Sequence, residues 1–169
     1  MATVDTASHS LQVRRHLVAP PKKVFQAWTD RAHLARWFAP SPDFKIVVHE
    51  LDVRPGGGYR IEMRHPDGSS HIAVGEYREL DAPRWLTFTW RWEGSPMSDT
   101  LVTVELTSKD GGTEVVLTHT LFQSEELRDE HTKGWTGCMA QLAATLGCVR
   151  RHLLHQLTTQ EADRCDSLR

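Results

Sequence analysis

His119 is the residue of greatest chemical interest in this sequence of 169 residues. It alternates with Leu117 and Leu121, so a strand would carry all three on one face. A buried imidazole must find partners for both ring nitrogens or cost roughly 1–3 kcal/mol. Three roles suit it: a hydrogen bond that orients a ligand, acid or base chemistry near neutral pH, or a core histidine satisfied by a carbonyl or an indole N–H. The six tryptophans are the second signal. Trp28, Trp37, Trp90, Trp92 and Trp135 all fall on faces expected to point inward. Indole rings that line a cavity offer flat, polarizable apolar area suited to planar or hydrophobic ligands, and the same rings can simply pack a core.

Other reactive types are weaker signals. Cys138 lies one turn from Trp135 and would form a nucleophile–base pair with His119 only within hydrogen-bond reach, with no third orienting group evident. His152 and His155 sit three apart, but no HisGluXaaXaaHis helix or cysteine pair accompanies them, so no metal is expected. The three glycines at 56–58 lead into a strand, which suits a tight turn or bulge better than a phosphate cradle. No motif calls for a cofactor. The acidic run GluGluLeuArgAspGlu at 125–130 precedes a helix, where negative charge complements the helix dipole.

These side chains need elements to hold them. Tyr59, Ile61 and Met63 alternate with polar residues, as do Leu86, Phe88, Trp90 and Trp92, then Val102, Val104 and Leu106, then Val115, Leu117 and His119. Period two with aromatic and β-branched enrichment predicts strands. Gly/Pro/Asp clusters at 54–58, 65–70, 81–84, 93–96 and 109–112 supply the turns. Short turns imply antiparallel neighbours, giving six consecutive strands between Phe44 and Phe122. A first strand carries Leu11, Val13, His16 and Val18. Pro20 and Pro21 then open a helix with Val24 and Trp28, and Asp30 caps a second with Leu34, Trp37 and Phe38. The face of His71 is ambiguous, because Gly75–Glu76 can hold a bulge. Trp135, Met139, Leu142, Leu146, Val149, Leu153 and Leu157 form one helical stripe.

Composition limits the classes. The hydrophobic set is 39% and charged residues 25%, within the globular range for one domain. A formal charge of −2 gives no reason to expect a nucleic-acid partner. No apolar run is long enough to cross a bilayer, and the opening residues lack the pattern of a secretory signal. Cys138, Cys148 and Cys165 form no disulfide-type pattern. A cytoplasmic protein is expected, with a flexible start at 1–9, a single domain over 10–157 and a polar tail at 158–169.

Ordered words in the chain carry a resemblance: ValPheGlnAlaTrpThrAsp at 24–30, HisLeuAlaArgTrpPhe at 33–38, AspValArgProGlyGlyGlyTyrArg at 52–60, GlyGluTyrArgGluLeuAspAlaPro at 75–83, LeuThrPheThrTrp at 86–90, LeuThrHisThr at 117–120 and GlyTrpThrGlyCys at 134–138. Over roughly residues 10–147 the sequence resembles the START-like (SRPBCC, helix-grip) superfamily and, within it, the family named for the activator of the heat-shock-protein-90 ATPase. The resemblance implies an α+β fold: a seven-stranded antiparallel sheet curled around a long C-terminal helix, with two short helices between strands 1 and 2. It also implies a ligand-sized cavity between sheet and helix.

The leading expectation is a protein that binds a small hydrophobic or aromatic ligand there, without a cofactor. Trp37, Phe38, Tyr59, Met63, Trp90, His119, Trp135 and Met139 are the expected lining. Two alternatives stay open. One is a cyclase- or hydrolase-like enzyme using His119, which needs a second titratable group opposite it, with Tyr59 and Glu76 on offer. The other is a chaperone-modulating or stress-response interaction protein. The family's eukaryotic namesake has an additional N-terminal domain for which these residues leave no room, which weakens that alternative. Pairing into a homodimer through a sheet edge or helix face is also left open.

Overall fold

The computed structural model describes residues 9–154, with side chains through residue 147. The side chains of Cys148, Val149, His152 and Leu153 are therefore outside the described set, as are His155, Leu157, Cys165 and the two terminal segments. Strand β1 (His9–Leu17) is followed by helices α1 (Pro21–Thr29) and α2 (Arg31–Trp37). Six strands follow: β2 (Lys45–Leu51), β3 (Gly58–Arg64), β4 (Ser70–Asp81), β5 (Trp85–Trp92), β6 (Thr100–Lys109) and β7 (Gly112–Phe122). The long helix α3 (Glu125–Leu154) ends the described chain. No helix among the described residues is long and apolar enough to cross a membrane.

Local chemistry sets the helix starts. Pro21 stands at the first turn of α1, where its missing N–H costs nothing. The Asp30 carboxylate accepts the His33 backbone N–H at 3.4 Å and caps α2. Ser124 opens α3, its Oγ accepting the Leu127 N–H at 3.2 Å, while Glu125 and Glu126 place negative charge in the first turn.

The strands form one antiparallel sheet in the order β1-β7-β6-β5-β4-β3-β2. β2 to β7 run as a meander, and β1 pairs with β7 along the far edge. The two short helices and α3 cover the concave face, and the apolar residues of all three layers meet in one core.

Two irregularities shape the concave face. Between the pairs Val74·Arg91 and Tyr77·Phe88, the β4–β5 ladder is interrupted. Side chains replace the missing bonds: Tyr59 Oη donates to the Thr89 carbonyl at 2.6 Å, and the Glu76 N–H donates to Thr89 Oγ1 at 2.9 Å. Gly75 is required there, since a Cβ would overlap the Thr89 carbonyl oxygen and crowd the Tyr59 hydroxyl. The register then shifts between Tyr77 and Glu79, two residues beyond the expected bulge. At the end of β7 the expected alternation fails. Leu121 takes φ 71 and is 50% exposed, so it does not share the face of His119. Phe122 takes the inward place, its ring 4.2 Å from the His119 ring.

Candidate functional site

Only part of the space between sheet and helix is hollow. A half-enclosed cleft of about 310 Å³ opens where the N-terminal half of α3 meets the strand ends of β3, β4 and β5. Met63, Trp90 and Trp92 form the sheet wall, with His71 at its outer edge. Glu130, His131, Gly134, Trp135 and Cys138 form the helix wall. Pro40 and Phe44, from the segment after α2, close one end. Their approach depends on Gly137, because a Cβ at that position would overlap the Pro40 carbonyl oxygen.

Of the eight side chains expected to line a cavity, Met63, Trp90 and Trp135 stand at the cleft. The other five pack behind it. Trp37 is buried and donates its indole N–H to the Ala27 carbonyl at 2.9 Å. Phe38 packs edge-on against Trp135, Tyr59 is held by Thr89, and Met139 is buried in the core. Around Phe38 and Tyr59 the remaining gap is about 10 Å³, no larger than one water.

His119 is 0% exposed, and both nitrogens are occupied. Trp135 Nε1–H donates to Nδ1 at 3.0 Å, which fixes the proton on Nε2. Nε2 then donates to Thr100 Oγ1 at 2.6 Å, and Thr100 donates onward to the Trp90 carbonyl at 2.7 Å. Burial pushes the imidazole pKa down to about 2, with His131 adding to the effect. The ring is neutral, enclosed and without a free position for proton transfer. Neither Tyr59 nor Glu76 bonds to it: the first holds Thr89, and the second faces Arg78 at 3.4 Å. Cys138 makes no hydrogen bond to His119, and burial raises its thiol pKa to about 12, away from nucleophilic chemistry.

His131 was not singled out by sequence reasoning, yet it is the polar centre of the helix wall. Its Nδ1–H donates to the Leu127 carbonyl at 2.7 Å, leaving Nε2 to accept the Trp90 indole N–H at 3.2 Å. Burial lowers its pKa as well. The two histidines thus adopt opposite tautomers, and each anchors one indole of the cleft. The signal was present, since His131 lies one turn before Trp135 on the same helical stripe. Phe44, in the segment before β2, had no periodic signal to reveal it.

The rings form a connected wall. Trp90 lies 5.1 Å from Trp135 and 5.2 Å from Trp92, and Trp92 lies 5.7 Å from His71. Such a surface can hold an apolar ligand of modest size by burial and ring contact. Among the described residues, no three His, Cys, Asp or Glu side chains converge as metal ligands.

Comparison with known proteins agrees with this architecture. Residues 18–147 match the family described as Activator of Hsp90 ATPase homolog 1-like protein. A protein from Chromobacterium violaceum is 28% identical, with a TM-score of 0.73 over 81% of this chain and 96% of that one. A protein from Mycobacterium smegmatis is 24% identical, with a TM-score of 0.73 over 85% and 93%. The AHSA1 protein from Silicibacter pomeroyi is 23% identical, with a TM-score of 0.75 over 83% and 99%, a likeness of fold. A search of curated proteins finds no match.

Proposed function

The chain belongs to the Activator of Hsp90 ATPase homolog 1-like family, and from that premise we propose that it binds a small hydrophobic ligand, aromatic or lipid-like, in the cleft beside α3. One observation carries this reading: an apolar hollow of about 310 Å³, walled by Trp90, Trp92, Trp135 and Met63 and open to solvent, beside an aromatic cluster whose remaining gap is about 10 Å³. Burying roughly 300 Å² of ligand apolar area at about 25 cal/mol per Å² supplies ~7 kcal/mol before the costs of association. Micromolar binding then needs no ion pair and no covalent step. The enclosure of His119 gives the acid–base alternative no support.

The test uses Gly134. A Cβ added there meets nothing within 4 Å, and the position lines the cleft from a helix. Gly134→Leu therefore fills the hollow while favouring the helix by roughly 0.5–1 kcal/mol. Titration of apolar aromatic compounds, followed by tryptophan emission, should give a saturable change in the wild type and at least tenfold weaker binding in the variant. No saturable change across a broad panel, or undiminished binding in Gly134→Leu, overturns the reading.

A further inference from the structure

The walls of the cleft differ in the kind of polar group they leave available. Trp90 gives its N–H to His131, Trp135 gives its own to His119, and the His131 N–H goes to the Leu127 carbonyl. The central donors are therefore committed inside the protein. Trp90 and Trp135 line the cleft with no indole N–H left to offer a ligand. Among the described residues, none lining the cleft is Lys or Arg, and Arg128 on the same helix is held by Asp129 at 3.1 Å. Among the described lining residues Glu130 carries the one formal charge, an exposed carboxylate at the rim of the hollow that forms no ion pair with another described residue. It lies close enough to His131 for its charge to act on that imidazole.

An anionic head would meet Glu130 and find no fixed cation among the described lining residues. A cationic head would meet Glu130 and a wall built with three indoles, of which Trp92 at the half-buried rim is the most accessible, and indole is the side chain that attracts cations most strongly. Resting on the ligand-binding reading above, we propose that the cleft selects hydrophobic cations: an apolar or aromatic body carrying an alkylammonium or other positively charged nitrogen, seated on Trp90, Trp92 and Trp135 with its charge toward Glu130. Fatty acids and aryl carboxylates are selected against.

The experiment compares phenyltrimethylammonium, its neutral isostere tert-butylbenzene and the anion phenylacetate, at pH 8 and low salt, on the full chain. Phenyltrimethylammonium should bind about tenfold tighter than phenylacetate, a difference of about 1.4 kcal/mol. Glu130→Gln should weaken the cation severalfold and leave tert-butylbenzene unchanged. Equal or tighter binding of phenylacetate, or a Glu130→Gln variant that weakens all three alike or none, overturns the charge preference while ligand binding itself stands. If none of the three binds the wild type and the broader aromatic panel also fails, ligand binding falls, and the charge preference falls with it.

Discussion

Trp135 stands between two aromatic clusters with the same kind of residues and different outcomes. Behind it, Trp28, Trp37, Phe38, Tyr59 and Phe88 interlock, with Trp28 and Trp37 at 4.6 Å and Tyr59 and Phe88 at 5.6 Å, leaving about 10 Å³. In front, Trp90, Trp92 and Met63 leave about 310 Å³. Ring density does not decide which side is hollow. The closed side has two short helices lying on the sheet, and their Trp28, Leu34, Trp37 and Phe38 fill the layer. On the open side, among the described residues, only the segment with Pro40 and Phe44 reaches over, and α3 faces the strand ends directly. A core follows where a third element supplies side chains, and a cleft where none does.

The comparison predicts that truncations on the two sides fail differently. Trp37→Ala should cost about 3–5 kcal/mol in urea unfolding, through a large void and an abandoned Ala27 carbonyl. Trp92→Ala, at the half-buried rim, should cost about 1 kcal/mol or less but weaken ligand binding severalfold. Reversed magnitudes would break the distinction between packed side and binding side.

The pH dependence of stability reads the buried imidazoles. His119 has an ordinary value of 6.5 when unfolded and about 2 when folded, so between those limits the unfolded state binds the extra proton. Stability is full above 6.5 and falls with acidification by about 1.4 kcal/mol per pH unit, near 3 kcal/mol by pH 4.5. His131 shifts in the same direction and adds to the slope. Glu62, held well below the usual carboxylate range by Arg64, His49 and Ser70, contributes only in stronger acid. His119→Gln can bond to both Trp135 and Thr100 but cannot titrate. Denaturation at several pH values should show a shallower slope for it, and an unchanged slope would remove His119 as the origin.

A finer contrast lies within the closed cluster. Trp28 Nε1 is buried without a partner among the described residues, whereas Trp37 Nε1 is bonded to Ala27. Both Trp→Phe changes remove similar volume, but only the second strands a carbonyl. Trp37→Phe should be the more destabilising by about 1–2 kcal/mol, measured by chemical denaturation. The smallest effect belongs to the outer surface: Glu93→Gln, which breaks the exposed Arg60–Glu93 pair, should cost under about 1 kcal/mol and leave ligand binding unchanged. A binding defect in that variant would mean that the outer face communicates with the cleft.

Most elements were legible because their signals are local. Pro21, Asp30 and the period-two strands mark their own boundaries, and the β2–β7 meander follows from turns too short for any other pairing. The inward positions of Trp90, Trp135 and Met63 also follow from periodicity. His131 is not legible in the same way, because the apolar stripe begins at Trp135 and a histidine does not mark an apolar face. Leu121 was misplaced because a single positive φ ends the alternation, and no residue type there announces it.

Amino-acid order by itself therefore determined the strands, the helix caps and which rings face inward, since each depends on neighbours within a few positions. Which inward rings touch and which leave a hollow was decided by the tertiary structure alone. That depends on distances between elements far apart in the chain, such as Pro40 against Gly137 or Trp90 against His131. The same holds for the chemistry of His119. A strand pattern gives an imidazole its direction, but only the indole of Trp135 and the hydroxyl of Thr100, brought to its two nitrogens by folding, make it a neutral structural bond.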